Sequence, residues 1–214
     1  MTDEHSSLAP VLAAALSKRF GATRVTRLAR LSGGASQETF AVDAEGGLFG
    51  AFIWRRRPAD ALQDDWVRLG PHEEAAVIEA AGAAGAPAPT VICVFEPQDG
   101  IGDGFLMSRI PGEALAPRIL RDPKFDAVRP LLAAECGRIL ARLHAIPIVS
   151  LPPMPAPKIE IEIARWRSLL ERLDDHRPVF ALAMRWLLDN RPNPRPLTFV
   201  HGDFRLGNLL VSEK

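Results

Sequence analysis

One octapeptide, His201-Gly202-Asp203-Phe204-Arg205-Leu206-Gly207-Asn208, constrains this chain more than any other stretch. It lies between a short apolar run at 197–200 and another at 209–211, so it reads as a tight loop joining two strands. Gly202 and Gly207 suit a backbone that must bend sharply. The loop sets an acid, Asp203, and an amide, Asn208, five residues apart, with Arg205 between them. By average composition, H-G-D-x-x-x-x-N arises by chance in a chain this size on the order of once in a thousand. The loop therefore organises the reading of everything before it.

Upstream, Ser6 and Ser7 are candidate N-caps for a helix with Leu8, Val11, Leu12, Ala15, Leu16 and Phe20 at helical spacing, and Gly21 is its stop. Strands are expected at 25–31, 39–42 and 48–54, joined by Ser32-Gly33-Gly34-Ala35-Ser36 and by a Gly46-Gly47 turn, with Arg55 ending the third. Pro71 opens a helix that runs to 82–85. Strands at 90–95 and 105–110 follow. The order β-β-β-α-β-β over 24–110 predicts a five-stranded antiparallel sheet. After Gly112 the pattern turns helical, with helices expected at 126–145, 160–173 and 178–188 and Pro-rich connections at 147–157 and 191–196. The fold class is α+β.

Composition mainly excludes. Lys plus Arg equals Asp plus Glu at 26 each, so the chain lacks the basic footprint of a nucleic-acid binder. No apolar run reaches the roughly 18 residues of a membrane span, and the polar, acidic start is no secretory signal. Cys93 and Cys136 stand far apart, without C-x-x-C or a Cys/His cluster, which argues against a zinc site or a disulfide framework. His5, His72 and His176 are isolated, and His144 reads as a packing or capping residue. A cytoplasmic location is expected. The 214 residues suffice for one large domain or two small lobes.

The loop's residue types suit phosphoryl transfer, in which protein groups mostly position reactants and neutralise charge. An acid at Asp203 can orient an acceptor hydroxyl and take its proton. Asn208, across a tight loop, can hold a metal ion. Arg205 can reach a γ-phosphate. His201 reads as a shaping residue that bonds to backbone rather than as a base. Between the first two strands, the small residues 32–36 let backbone N–H groups approach phosphates. Ala51, Ile53 and Arg55 share one strand face by alternation.

The sequence HGDFRLGNLL resembles the catalytic loop of the aminoglycoside phosphotransferase and choline kinase superfamily. With Arg205 and Gly207 it is most similar to the kinase-like domains related to those fused to acyl-CoA dehydrogenases. The resemblance implies a two-lobe, protein-kinase-like fold. Residues 1–110 are then the nucleotide-binding lobe, with 1–23 a leading helix, and 111–214 are an incomplete, mainly helical lobe carrying a catalytic hairpin. It implies ATP and Mg²⁺ as cofactors and a small-molecule hydroxyl as acceptor. Ser32, Gly33, Gly34, Ala35 and Ser36 would cradle phosphates. Arg55 stands where the family usually has Lys, with Arg56 the competing choice. Glu74 would pair with Arg55, with Glu73 the alternative. Met107 would line the back of the adenine pocket, and the Ser108 carbonyl and Ile110 N–H would bond the base. Asp203 and Arg205 would be catalytic and Asn208 a metal ligand.

The family also has a second acidic metal ligand, an Asp on the strand after the catalytic hairpin, and no residue before Lys214 supplies it. The expectation is a fragment of a longer phosphotransferase, inactive as it stands, with an apolar helical face open to homodimer formation. A non-catalytic nucleotide-binding pseudokinase is the alternative reading. A protein kinase is a third, made less suitable by HGD in place of HRD.

Overall fold

The computed structural model describes residues 7–31, 37–57, 69–154, 158–174, 176–193 and 196–213. Its elements are α1 (Leu8–Phe20), β1 (Thr23–Arg30), β2 (Glu38–Gly46), β3 (Gly50–Arg56), α2 (Pro71–Ala83), β4 (Val91–Phe95), β5 (Gly104–Ser108), α3 (Ala116–Arg121), α4 (Arg129–His144), α5 (Ile159–Arg172) and α6 (Pro178–Asp189). The strands form one antiparallel sheet in the order β1-β2-β3-β5-β4. The expected β-β-β-α-β-β order and α+β class are what the chain adopts.

Strand alternation sorts the sheet into two unlike faces. Phe40, Val42 and Ala44 of β2, Phe52 and Trp54 of β3, and Leu106 of β5 are buried on one face, where Leu12 and Leu16 of α1 cover them. Trp54 is the centre, its ring 5.3 Å from Phe40 and edge-on to Phe95 at 6.3 Å. Each such aromatic contributes on the order of 2–3 kcal/mol by leaving water. The other face carries Ala41, Ile53 and Met107 in register.

Helix α1 is tied to the sheet by a small polar knot. The Thr23 N–H donates to the Ser17 hydroxyl (3.0 Å), and the Leu48 N–H donates to the Thr23 hydroxyl (3.1 Å). The expected Gly46-Gly47 turn closes against it. A Cβ on Gly46, which has φ +103°, would lie 2.2 Å from the Ala22 carbonyl oxygen, and one on Gly47 would lie 2.0 Å from that of Phe20. Only glycine fits so close a backbone approach.

The described residues fall into two compact units: one comprises those within 7–57, 69–152 and 198–213, the other those within 153–197. In the second, α5 and α6 are amphipathic helices, with Ile163 buried and Leu182 and Trp186 of α6 exposed. Helix α4 starts three residues later than expected, where Pro130 provides the fixed φ of a first turn. Short α3 has no counterpart in the expected pattern; six residues are too few to display a helical period.

The strands expected at 197–200 and 209–211 do not form. Residues 197–200 carry no ladder, and the returning segment is reduced to a single bridge between Val211 and Glu113. A strand persists only against a hydrogen-bonding neighbour. Among the described residues, only Glu113 provides one. In place of a hairpin, the loop closes on a 3₁₀ turn at Leu206–Asn208.

Phe40→Ala is expected to cost about 3–5 kcal/mol in chemical denaturation, the range for emptying a fully buried aromatic site. Phe49→Ala, at a side chain 80% exposed, should leave the midpoint unchanged.

Candidate active site

Strand β3 delivers the first component. Past buried Trp54, alternation turns Arg55 to the opposite face and returns Arg56 to the Trp54 face. Arg55 Nη1 lies 2.5 Å from Glu74 Oε1 of α2. Glu74 also accepts from Gln37 Nε2 at 3.0 Å. Arg56 instead pairs with Glu38 at 3.1 Å, its guanidinium 5.5 Å from the Trp54 ring centre. The two arginines are thus separated as alternation requires, and Glu74 rather than Glu73 partners Arg55. Among the described residues the Nε of Arg55, a buried atom, has no hydrogen-bond partner, while its side chain as a whole is about a third exposed.

The second component is the segment after β5. Met107 pairs with Ile53 on the open sheet face. The Ser108 N–H donates to the Thr90 carbonyl (2.8 Å), while the Thr90 N–H goes to the Ser108 hydroxyl (2.9 Å), not to the Ser108 carbonyl. Ile110 is exposed, and Pro111 has no N–H to prolong the ladder.

That segment leads directly to Glu113, whose N–H and carbonyl both bond Val211 at 3.0 Å. Val211 is therefore the brace of the third component, the 201–208 loop. It packs with Ile119 and Phe125, and Leu206 from inside the loop joins the same cluster. The Glu113 carboxylate accepts from the Leu115 and Ala114 N–H groups and pairs with Arg118 at 3.2 Å. The Leu115 bond leads the interactions that hold this carboxyl below its usual value.

Within the loop, Asn208 Nδ2 donates to both Asp203 Oδ2 (2.7 Å) and the Asp203 carbonyl (2.8 Å). Arg205 Nε lies 3.0 and 3.2 Å from the two Asp203 carboxylate oxygens. The Asn208 bond, aided by the charge and hydrogen bond of Arg205, keeps the Asp203 carboxyl below the ordinary value against the opposing effect of desolvation. His201 shapes the loop: its Nδ1 accepts the Asp203 N–H at 3.3 Å, and its ring meets Phe204 edge-on at 5.4 Å. Gly202 takes φ +80° at the bend. The His144 carbonyl accepts from the Thr198 hydroxyl (2.8 Å) and steadies the approach to the loop.

The expected phosphate cradle, Ser32 to Ser36, lies outside the described residues. Arg55 with Glu74 and Asp203 with Arg205 and Asn208 are brought together as pairs and triads; Met107, Ser108 and Ile110 lie along one continuous segment. Sequence reasoning missed Gln37, Glu38 and Glu113. The first two directly follow the glycine turn, where polar residues at a strand start could have drawn notice. Glu113 carries no motif.

A cation ligand fits this loop. Because Asn208 donates through Nδ2, its Oδ1 is not the atom bound to Asp203, and it is a neutral, hard oxygen of the kind magnesium accepts. Among the described residues no three His, Cys, Asp or Glu side chains converge on a metal position, and no helix is long and apolar enough to cross a membrane.

The model of the phosphotransferase enzyme family matches residues 27–214. Among curated proteins, the chain is 27% identical over 168 residues to mouse (Mus musculus) acyl-CoA dehydrogenase family member 10, covering 74% of this chain and 15% of that protein. It is 27% identical over 209 residues to acyl-CoA dehydrogenase family member 11 of Pongo abelii, covering 91% and 25%. The chain thus spans a quarter or less of these relatives' length. Among solved structures, a GDP complex of a mutant aminoglycoside 2'-phosphotransferase-IIIa superposes with TM-score 0.65 at 14% identity, covering 96% of this chain and 67% of that one. The GDP and kanamycin complex of APH(2")-IIIa gives 0.63 at 14% identity, covering 98% and 68%. These two share the kinase-like fold.

Because the folded value of Asp203 lies below its unfolded one, the loop's electrostatic contribution is fully present above the ordinary carboxylate value. It is lost as pH falls through the lowered value. The Asn208 side-chain amide resonances should hold their positions from neutrality down to about pH 4 and move only below that. Movement near pH 5 to 6 would contradict the Asp203–Asn208 pairing.

Proposed function

The chain belongs to the phosphotransferase enzyme family, and on that premise we propose that it serves transfer of the γ-phosphoryl group of ATP to a hydroxyl of a small-molecule acceptor. The observation that carries the reading is the Asp203–Asn208 pair, with one amide hydrogen bond joining acid to amide and the amide oxygen left for a cation. An Mg²⁺ ion held there would neutralise charge on the phosphates.

The chain's own groups divide the remaining work. Asp203, ionised throughout the neutral range and a weak base, accepts a hydrogen bond from the acceptor hydroxyl and aims its oxygen at phosphorus. As the new O–P bond forms and the bond to the departing ADP oxygen breaks, Asp203 takes the hydroxyl proton late, when the oxygen has become acidic. Arg55, aimed by Glu74 and about a third exposed, would bind the phosphates through the outer N–H groups of its planar fork while keeping its carboxylate partner. Asn208 first, with Arg205 after it, favours the ionised form of Asp203, and the other N–H groups of Arg205 would serve a transferring oxygen. Half-buried Ile53 and Met107 offer a surface for the base, with the Ser108 carbonyl and Ile110 N–H at its edge. The free thiols of Cys93 and Cys136 suit a reducing, cytoplasmic setting.

A second reading is favoured by the engagement of the Asp203 carboxylate, which Asn208 and Arg205 both occupy. On that reading the 214-residue chain binds nucleotide and turns it over poorly or not at all. The relatives' names and the kanamycin complex do not decide the acceptor, since the chain is a small part of the former and distant in sequence from the latter.

Asp203→Asn in the longest available form of the protein is expected to lower kcat by about 100-fold or more with nearly unchanged ATP affinity. A radiolabelled ATP assay beside calorimetry checks both, and full turnover by the variant would remove Asp203 from this role. For the 214-residue chain alone, weak nucleotide binding with negligible transfer is expected. Arg55→Ala should weaken ATP binding more than Arg56→Ala does. The reverse order would exchange their roles.

A further inference from the structure

The open face of the sheet is organised in rows. The register aligns Asp43 with Ala51, and the Arg109 N–H donates to the Ala51 carbonyl at 3.1 Å, so Arg109 ends the same row. One row inward lie Ala41, Ile53 and Met107, and one further lies Arg55. A nucleotide placed by the reading above would have its phosphates at the Arg55 row and its base on the apolar row. The Asp43–Ala51–Arg109 row then borders the base on its far side.

That row holds an ion pair that none of the roles assigned so far uses. Arg109 Nη2 lies 2.5 Å from Asp43 Oδ1, both side chains about 30% exposed. The pair reaches across β3 above Ala51, whose single methyl leaves the guanidinium its path. Arg27 of β1 adds a longer contact to the other Asp43 oxygen at 3.9 Å. Arg109 sits between the two backbone groups that a purine edge would use, the Ser108 carbonyl and the Ile110 N–H. On one flank the segment is pinned by Ser108 to Thr90 through two hydrogen bonds. On the other it is pinned by the Arg109 N–H to Ala51 and by the Arg109 side chain to Asp43. Beyond Ile110, Pro111 cannot continue the ladder. The ion pair is thus the last fixed point before the chain departs toward Glu113.

We infer that Arg109 is a positioning residue for the base end of the nucleotide: its pair with Asp43 holds backbone 108–110 in place, so that the carbonyl of Ser108 and the N–H of Ile110 stand ready before a purine arrives. The inference rests on the proposed nucleotide function. A segment ordered in advance loses less conformational entropy on binding, and that saving appears as affinity. It affects only ligands that carry a base. A ligand of phosphates alone meets Arg55 and not the 108–110 edge.

Calorimetry on the 214-residue chain with ATP and with inorganic tripolyphosphate separates the two ends. Arg109→Ala is expected to raise the ATP Kd by about 5- to 10-fold and to leave tripolyphosphate binding unchanged. Arg109→Lys, which keeps the charge, should stay within about twofold of the parent. Asp43→Asn should match Arg109→Ala, and the double variant should be no worse than either single one, as expected of two residues that act through one contact. Hydrogen exchange at the Ser108 amide, which donates to Thr90, and at the residue-109 amide, which donates to Ala51, should quicken in Arg109→Ala while exchange in β1 stays as it was, which separates local loosening from misfolding. Equal losses for ATP and tripolyphosphate, additive losses in the double variant, or unchanged ATP binding by a folded Arg109→Ala would each overturn the inference. If the parent chain binds tripolyphosphate but shows no preference for ATP, the base platform is absent and the inference falls while the phosphate site stands. If it binds neither, the nucleotide reading itself falls, and the inference with it.

Discussion

The alternation of Trp54, Arg55 and Arg56 along β3 is the constraint on which the rest depends. Trp54 is fully buried between Phe40 and Phe95, and moving it to the other face would empty the centre of the core. A one-residue slip of β3 is therefore prohibitively costly. Because Trp54 cannot move, Arg55 must stand on the open face, where Glu74 of α2 meets it, and Arg56 must turn back to Glu38. The core and the Arg55–Glu74 pair are thus set by one register. An isolated ion pair this exposed would add little stability in its own right; here its value lies in fixing the direction of the guanidinium.

A second constraint links the loop to the sheet. Four residues separate Ser108 from Glu113, and Glu113 is bridged to Val211, three residues past Asn208. The base-edge segment and the acid–amide loop are therefore joined through one short piece of backbone. Leu206 and Val211 root the loop in the Ile119–Phe125 cluster, leaving Asp203 and Asn208 exposed and available. Apolar anchors at either end of a polar loop let its reactive groups face solvent without losing their mutual geometry.

Much of this was legible in the sequence because it depends on local period and turn chemistry. Alternation in 48–54 placed Arg55, glycines at 21 and 46–47 marked two stops, and Pro71 marked the start of α2. The spacing from Asp203 to Asn208 announced a loop that could fold back on itself, and the amide does reach the acid. The two strands flanking the loop were misread because apolar composition does not guarantee a pairing neighbour: Leu197 and Val200 are exposed and carry no ladder. Val211 is buried, but it packs rather than forming a ladder. Gln37, Glu38 and Glu113 were missed for another reason. Their roles come from partners distant in sequence, and no local pattern records a contact across the sheet. The Ser108 hydroxyl, which takes the N–H its own carbonyl would have received, is similarly a product of register alone.

The central claim is that nucleotide lies on the Ile53–Met107 face with its phosphates at Arg55. The most direct measurement is the set of backbone amide and arginine Nε–H NMR shifts on addition of a non-hydrolysable ATP analogue. The account requires the amides of Ile53, Met107 and Ile110 and the Arg55 Nε–H to move together in a saturable way. The Trp54 indole N–H, on the opposite face, should stay in place. If the analogue binds while the Arg55 and Ile110 signals remain unmoved, the nucleotide lies elsewhere and the account is wrong.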